Sequence, residues 1–142
     1  MNPEAGQILS HSADQLLGQV LPELAVPYLQ GSTAIIAILM KLVAREYENG
    51  AEIRAQENSD MRALFAELAP ALRDAALKSK LEAAATRDES LAISALNAAN
   101  VELRRLLIAA HVHIEAIGDS NSERRIWRVL KAMAARRALS LS

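Results

Sequence analysis

The sequence predicts an all-α protein, an elongated antiparallel bundle of four or five helices whose first helix is kinked. Hydrophobic residues make up 51% of the 142 residues but aromatic residues only 3%, so the apolar content is mainly Ala, Leu, Ile and Val. Ala and Leu are the strongest apolar helix formers. Only five Gly and four Pro interrupt the chain, and apolar residues recur between them at helical spacing. The length suits one domain, so we expect residues 1–142 to form a single helical bundle.

The first helix is predicted to begin at Asn2, as N-cap, with Pro3 in its first turn. Pro22 and Pro27 lie too close together for one straight helix, because each removes a backbone donor and clashes with the preceding turn. We therefore expect a kinked or broken helix that ends near Gln30.

The second helix is predicted to run from about residue 33 to 69. Gly31 would end the first helix, and Ser32 or Thr33 would cap the second. The Asn-Gly and Asn-Ser pairs within this segment leave an interrupted helix open as the alternative. At 100° per residue, one inward stripe comprises Ile35, Leu39, Leu42, Val43, Glu46, Gly50, Ile53, Glu57, Met61, Leu64 and Leu68.

Two later helix boundaries are predicted from capping boxes, in which a Ser or Thr and a Glu three residues later satisfy two backbone amides. The sequences "TRDE" at 86–89 and "SNSE" at 120–123 have this form. Gly118 precedes the second box and suits the residue that ends a helix. We expect helices over about 87–117 and 121–139.

Charge is distributed unevenly, although the net charge is only −1. The C-terminal segment 120–142 carries six basic and one acidic side chain, whereas residues 1–119 carry ten basic and sixteen acidic ones. Arg124, Arg128 and Lys131 lie on the polar face of the last helix and are candidate partner-binding residues. An acidic protein, nucleic-acid phosphate and an anionic membrane are the possible partners, and a solvated basic face is the simplest interpretation. We do not expect nucleic acid, because one Trp provides no stacking platform and the acidic body repels polyanions.

Several classes of function are disfavoured by what the sequence lacks. The chain has no Cys, which excludes disulfides, thiol catalysis and cysteine metal sites. It has no Gly-rich phosphate loop and no nucleophile elbow, so we predict no catalytic residue and no cofactor. The longest apolar run, Ala34 to Met40, is shorter than the roughly 20 residues that a membrane span needs. We therefore expect a soluble cytoplasmic protein without a transmembrane segment.

The stretch "LIAAHVHIEAIG" is the strongest candidate for a metal site. His111 and His113 point about 200° apart on a helix and cannot bind one ion together, whereas His111 and Glu115 share a flank. We therefore predict no metal site. The alternative is a ferritin-like carboxylate/His bundle, although the chain lacks the Glu-x-x-His pairs typical of di-iron bundles. Its metal ligands would come from Glu46, Glu57, Glu102, His111 and Glu115.

A second apolar strip on the helix of residues 87–117 predicts a partner. Val101, Ile108 and Val112 recur at spacings of seven and four, on the side away from Leu103 and Ile114. A second copy of the chain is the simplest partner that could bury this strip, so we expect a homodimer. The predicted function is a non-catalytic protein-protein interaction or scaffolding bundle, with a chaperone or adaptor that holds a partner helix as its concrete form.

There is also an internal similarity between two amphipathic segments. "NSDMRALF" at 58–65 and "NVELRRLL" at 100–107 share Asn, an acid, an aliphatic residue, Arg and Leu in register. A duplicated helical hairpin and chance similarity are the two explanations, and the shortness of the match favours chance.

Overall fold

The computed structural model describes residues 4–138, and these are folded as an all-α helical bundle, as predicted. A π-helical turn over Leu16–Val20 and a 3-10 turn over Leu21–Glu23 follow the first helix, and another 3-10 turn over Ala69–Ala71 follows the second. The chain divides into two compact units, Met1–Ala51 and Glu52–Ser142. The five helices are α1 Ala5–Gln15, α2 Pro27–Leu68, α3 Ala75–Ala83, α4 Ile93–Ile117 and α5 Ser120–Arg137.

The first unit is an antiparallel helix pair that packs through small residues. A Cβ placed on Gly6 of α1 would lie 3.4 Å from the Ala44 carbonyl oxygen, so the two helices approach closely. Further along α1, Asp14 forms an ion pair of 2.7 Å with Lys41. Because the residue number rises along one helix as it falls along the other, the helices run in opposite directions.

The start of the chain differs from the prediction. Asn2 and Pro3, the predicted cap and first turn, lie outside the described residues. The backbone stays helical from Ala5 to Glu23, and a kink in this helix is not confirmed. Pro22 lies in the 3-10 turn that follows the π-helical turn, so the α-helical hydrogen-bond pattern that its missing N–H would interrupt has already ended there.

The predicted helix stop at Gly31 is wrong. Helix α2 begins at Pro27 and continues through Gly31 to Leu68 without a break. Proline is favoured in the first turn of a helix, because the backbone N–H that it lacks would have no intrahelical partner there. Glycine inside a helix costs only about 1 kcal/mol relative to alanine, so Gly31 does not end the helix unless it adopts a left-handed conformation. Among the described residues only Gly118 has a positive φ.

The inward stripe predicted for α2 is correct only in its second half. Glu57, Met61 and Leu68 are fully buried, whereas Ile35 and Leu39 are more than half exposed. In the first half, the side of α2 that is buried carries alanines, and the bulky stripe is left outside. The alanine side of α2 is the buried one because α1 approaches it closely, and small side chains permit that approach.

The second unit has the main hydrophobic core, formed by α2, α3, α4 and α5. Helix α5 runs antiparallel to α2 and to α4, while α2 and α4 run in the same direction, because α3 and the loops beside it return the chain. The contacts that establish these directions are Arg54–Asn97 and Glu57–Arg104 for α2 and α4, and Glu57–Arg137 and Glu67–Arg125 for α2 and α5. The buried core comprises Met61, Leu64, Phe65, Leu68, Leu72, Leu81, Leu103, Leu107, Ala110, Ile114, Ile126 and Met133.

The capping box predicted at 86–89 does not start a helix. Helix α4 begins at Ile93, and residues 86–92 are not helical. Asp88 instead accepts hydrogen bonds from Arg62 at 2.8 Å and from Asn58 at 3.2 Å. The segment that the local sequence predicted as a helix cap is therefore held by a tertiary ion pair between Asp88 and Arg62.

The turn between α4 and α5 agrees more closely with the prediction. Gly118 ends α4 in the left-handed conformation, with φ 71°, as predicted. Helix α5 begins at Ser120, but its N-cap is Asp119, whose side chain accepts from the backbone N–H groups of Asn121 and Ser122. Helix α5 ends at Arg137, and the predicted end at Leu139 lies outside the described residues.

Candidate functional site

A buried polar cluster in the second unit is centred on Glu57. Its side chain has no solvent exposure, and both carboxylate oxygens accept hydrogen bonds of 2.6 Å from Arg137. Arg104 donates to the same carboxylate at 3.2 Å, and Asn100 donates at 3.1 Å. The acid that the sequence placed on the inward stripe is therefore bound to two arginines, Arg104 of α4 and Arg137 of α5.

The ionisation of Glu57 is set by two opposing effects. Burial acts to raise its pKa, but the hydrogen bonds and charge of Arg137, with the hydrogen bonds of Arg104 and Asn100, lower the pKa below the ordinary carboxyl value. Glu57 is therefore ionised at neutral pH. Its oxygens are occupied by protein donors, which is the arrangement of a structural ion pair.

The internal sequence similarity coincides with a contact in the structure. Asn58 on α2 and Asn100 on α4 are the first residues of the two similar segments, and the Asn100 side chain donates to the Asn58 oxygen at 2.9 Å. The corresponding apolar residues are also buried alike, with Met61 matching Leu103. Because α2 and α4 run in the same direction, the two similar segments meet at equivalent positions.

The remaining carboxylates of the ferritin-like alternative are spread out. Glu102 is exposed and pairs with Arg105 on its own helix. Glu46 lies in the first unit and is half-buried. Within the described part of the second unit, the structure brings together only His111 and Glu115 from this ligand set.

The two histidines of α4 diverge, as predicted. The Nε2 atom of His113 accepts a hydrogen bond of 3.1 Å from the backbone N–H of Arg73. The Nε2 atom of His111 lies 3.5 Å from a Glu115 oxygen, and Glu123 of α5 places a third ligand atom within 4.8 Å of both residues. The sequence interpretation missed Glu123 because it assigned this residue to the capping box.

The α4 surface, defined by Val101, Ile108 and Val112, is solvent-exposed. These side chains are 48%, 65% and 62% exposed, on the side of α4 away from the buried Leu103 and Ile114. The helical spacing in the sequence predicts this placement.

A larger apolar surface lies on the first half of α2. We call it the α2 surface. The sequence interpretation placed three of its members, Ile35, Leu39 and Val43, on the inward stripe, and the structure shows that these side chains are exposed. Its members are all more than half exposed: Tyr28, Ile35, Ile36, Ile38, Leu39, Val43 and Tyr47.

The same helix meets a simple test for a membrane span. The helical stretch Pro27–Ala71 is long and apolar enough to cross a bilayer, and only 11% of its most apolar 18-residue window is buried. The core helix of a soluble protein and a signal sequence near an N-terminus meet the same test. Length and composition therefore give weak support to a membrane role.

The basic residues of α5 fall into two groups. Arg125 lies 3.4 Å from Glu67, and Arg136 and Arg137 pair with acids of α2, so these arginines hold α5 against the bundle. The second group, which includes the predicted partner-binding residues, is exposed and comprises Arg124, Arg128 and Lys131.

Comparison with protein-family models, with curated proteins and with solved structures gave no match to this chain.

Proposed function

We propose that this chain is a non-catalytic helical bundle that binds protein through exposed apolar helix faces, with a second copy of itself as the simplest partner. The observation that supports the proposal is that the described part of the first unit, residues 4–51, has no bulky side chain in its buried core. Among residues 4–51 the buried positions are Ala13, Ala37, Ala44 and Gly50 alone. A helical hairpin obtains most of its stability from apolar burial, so this unit needs a further surface against which to pack.

The α2 surface is large enough to drive association. Burying a Val, Leu or Ile side chain completely contributes roughly 1.5–3 kcal/mol, so seven side chains buried from about half exposure contribute roughly 5–10 kcal/mol per chain. A two-fold dimer counts this contribution twice, which gives roughly 10–20 kcal/mol. The loss of translational and rotational freedom on association costs about 4–15 kcal/mol. One self-complementary patch therefore suffices for a dimer.

The α4 surface is a second candidate contact. Its three side chains give about 5–9 kcal/mol in a symmetric dimer by the same reasoning, which lies within the range of the association cost and below the contribution of the α2 surface. We therefore assign the larger share of binding to the α2 surface and an additional contact to the α4 surface. Arg124, Arg128 and Lys131 would favour an acidic partner through electrostatic complementarity.

The experiment is the mass of the full chain in solution, measured by sedimentation and light scattering at micromolar concentration. Leu39→Asp tests the α2 surface and Ile108→Asp tests the α4 surface. Ala63→Asp is the control, because it adds the same charge at an exposed position of α2 that belongs to neither surface. Circular dichroism of each variant monitors folding.

We expect a wild-type dimer, its dissociation by Leu39→Asp, weakening by Ile108→Asp and no effect of Ala63→Asp. A wild-type monomer at every concentration would refute self-association. Co-sedimentation of that monomer with neutral lipid vesicles, abolished by Leu39→Asp, would instead identify a bilayer as the partner of the α2 surface.

A further inference from the structure

Three potential metal ligands meet where α4 and α5 join. His111 and Glu115 are separated by one helical turn and share a flank of α4. The chain reverses at Gly118, and the first turn of α5 brings Glu123 to the same place. One atom of each side chain lies within 4.8 Å of the other two.

A second observation is independent of this proximity. The Nε2 atom of His111 is inaccessible to solvent and has no hydrogen-bond partner. The nearest carboxylate oxygen is that of Glu115, at 3.5 Å, which is too long for an ordinary hydrogen bond. A buried nitrogen without a partner is unfavourable, and a cation between it and the two carboxylates would satisfy it.

The ring of His111 is held in position. The Trp127 ring packs against it edge to face, with centroids 5.5 Å apart and an angle of 86° between the planes. Fixing the orientation of a metal-binding imidazole is a role that neighbouring groups play in established metal sites.

From this geometry we propose that His111, Glu115 and Glu123 bind one divalent transition-metal ion. One imidazole nitrogen and two carboxylates form a three-residue ligand set of the kind that Zn²⁺ accepts with water in the remaining position. Mg²⁺ and Ca²⁺ prefer sites made of oxygen alone, so the imidazole selects against them. Glu115 is 55% exposed, which leaves room for water at the ion. This site is independent of the proposed self-association.

The neighbouring tryptophan provides a direct measurement, because Trp127 is the only Trp in the chain. The untagged full chain, freed of metal by a chelator, would be titrated with Co²⁺, which quenches nearby indole fluorescence. We expect saturable quenching with one ion per chain, reversal by Zn²⁺ and no effect of Mg²⁺. Calorimetry with Zn²⁺ gives the stoichiometry separately.

Two variants and one control locate the ion. Glu123→Gln and Glu115→Gln preserve side-chain size and remove one charged ligand each, so each should weaken binding at least tenfold. Glu102→Gln is the matched control, since it removes an exposed carboxylate from the same helix, and it should bind as the wild type does.

Absence of saturable quenching up to about millimolar Co²⁺ would overturn the proposal and leave His111 and Glu115 as a long polar contact. Equal affinity in the wild type and both variants would also overturn it, because the ion would then bind elsewhere.

Discussion

Replacing the two arginines that bind Glu57 should destabilise the protein. Replacing Glu57 together with both arginines should destabilise it less, because no buried charge is then left without a partner. In Arg104→Gln/Arg137→Gln the carboxylate stays fully buried and keeps only the Asn100 donor. Removing the partners of a buried charge typically costs 3–5 kcal/mol, and we expect a loss of about that size in the free energy of unfolding.

Replacing Glu57 alone should cost less free energy of unfolding, because the arginines are partly exposed whereas Glu57 is fully buried. The side chains of Arg104 and Arg137 are 41% and 39% exposed, so water can hydrate them when Glu57 is absent. Glu57→Gln removes charged hydrogen bonds and should cost about 1–3 kcal/mol. When Glu57→Gln is added to the double arginine variant, we expect roughly 2 kcal/mol to be recovered, because no buried charge remains.

The assay is urea unfolding followed by circular dichroism, with all variants compared at one protein concentration because association adds to apparent stability. The triple variant should unfold at higher urea than the double variant, with an unchanged slope. If the triple variant is instead less stable than the double variant by the full cost of Glu57→Gln, the three residues act independently. That result would refute the explanation by an unpaired buried charge.

The pH dependence gives a second test of the same cluster. The pKa of Glu57 is lowered in the folded protein, so its contribution to stability is present above the ordinary carboxyl pKa, near 4.3, and is lost as pH falls through the lower folded value. In the double arginine variant the burial effect is no longer offset by the arginines and should raise this pKa. That variant should therefore gain stability as pH falls from 7 toward 5, a range over which the contribution of Glu57 to the stability of the wild type stays constant.

Two further predictions concern α5. Asp119→Ala should lower the free energy of unfolding by about 1 kcal/mol, because Asp119 caps the helix, whereas Ser120→Ala should change it by less than about 0.5 kcal/mol. Thermal unfolding distinguishes the two variants. A larger loss in Ser120→Ala would indicate that Ser120 caps α5, as the capping box predicts. Reversal of Arg124, Arg128 and Lys131 to Glu should leave folding intact, since these side chains are exposed. A loss of partner binding in that variant, together with steep salt dependence of wild-type binding, would indicate a phosphate-bearing partner.

The sequence by itself determines the helical class and several local features. Helix formers at helical spacing predict an all-α chain, and Gly118 ends α4 because glycine adopts the left-handed conformation without a steric penalty. The spacing within α4 also places Ile108 outside and Leu103 inside, and it separates His111 from His113. These features depend on interactions within one or two helical turns, and such interactions can be derived from neighbouring residues.

Only the tertiary structure decides which face of α2 is buried and which acids act as caps. Ile35 and Leu39 are outside because α1 packs closely on small residues, which no local pattern of α2 specifies. The predicted capping box at 86–89 does not start a helix and its Asp88 binds Arg62, while Glu123 approaches His111 only because α5 folds back on α4. Each outcome depends on residues distant in the chain, where the gain from burial or from an ion pair exceeds the small energy of a local cap or propensity.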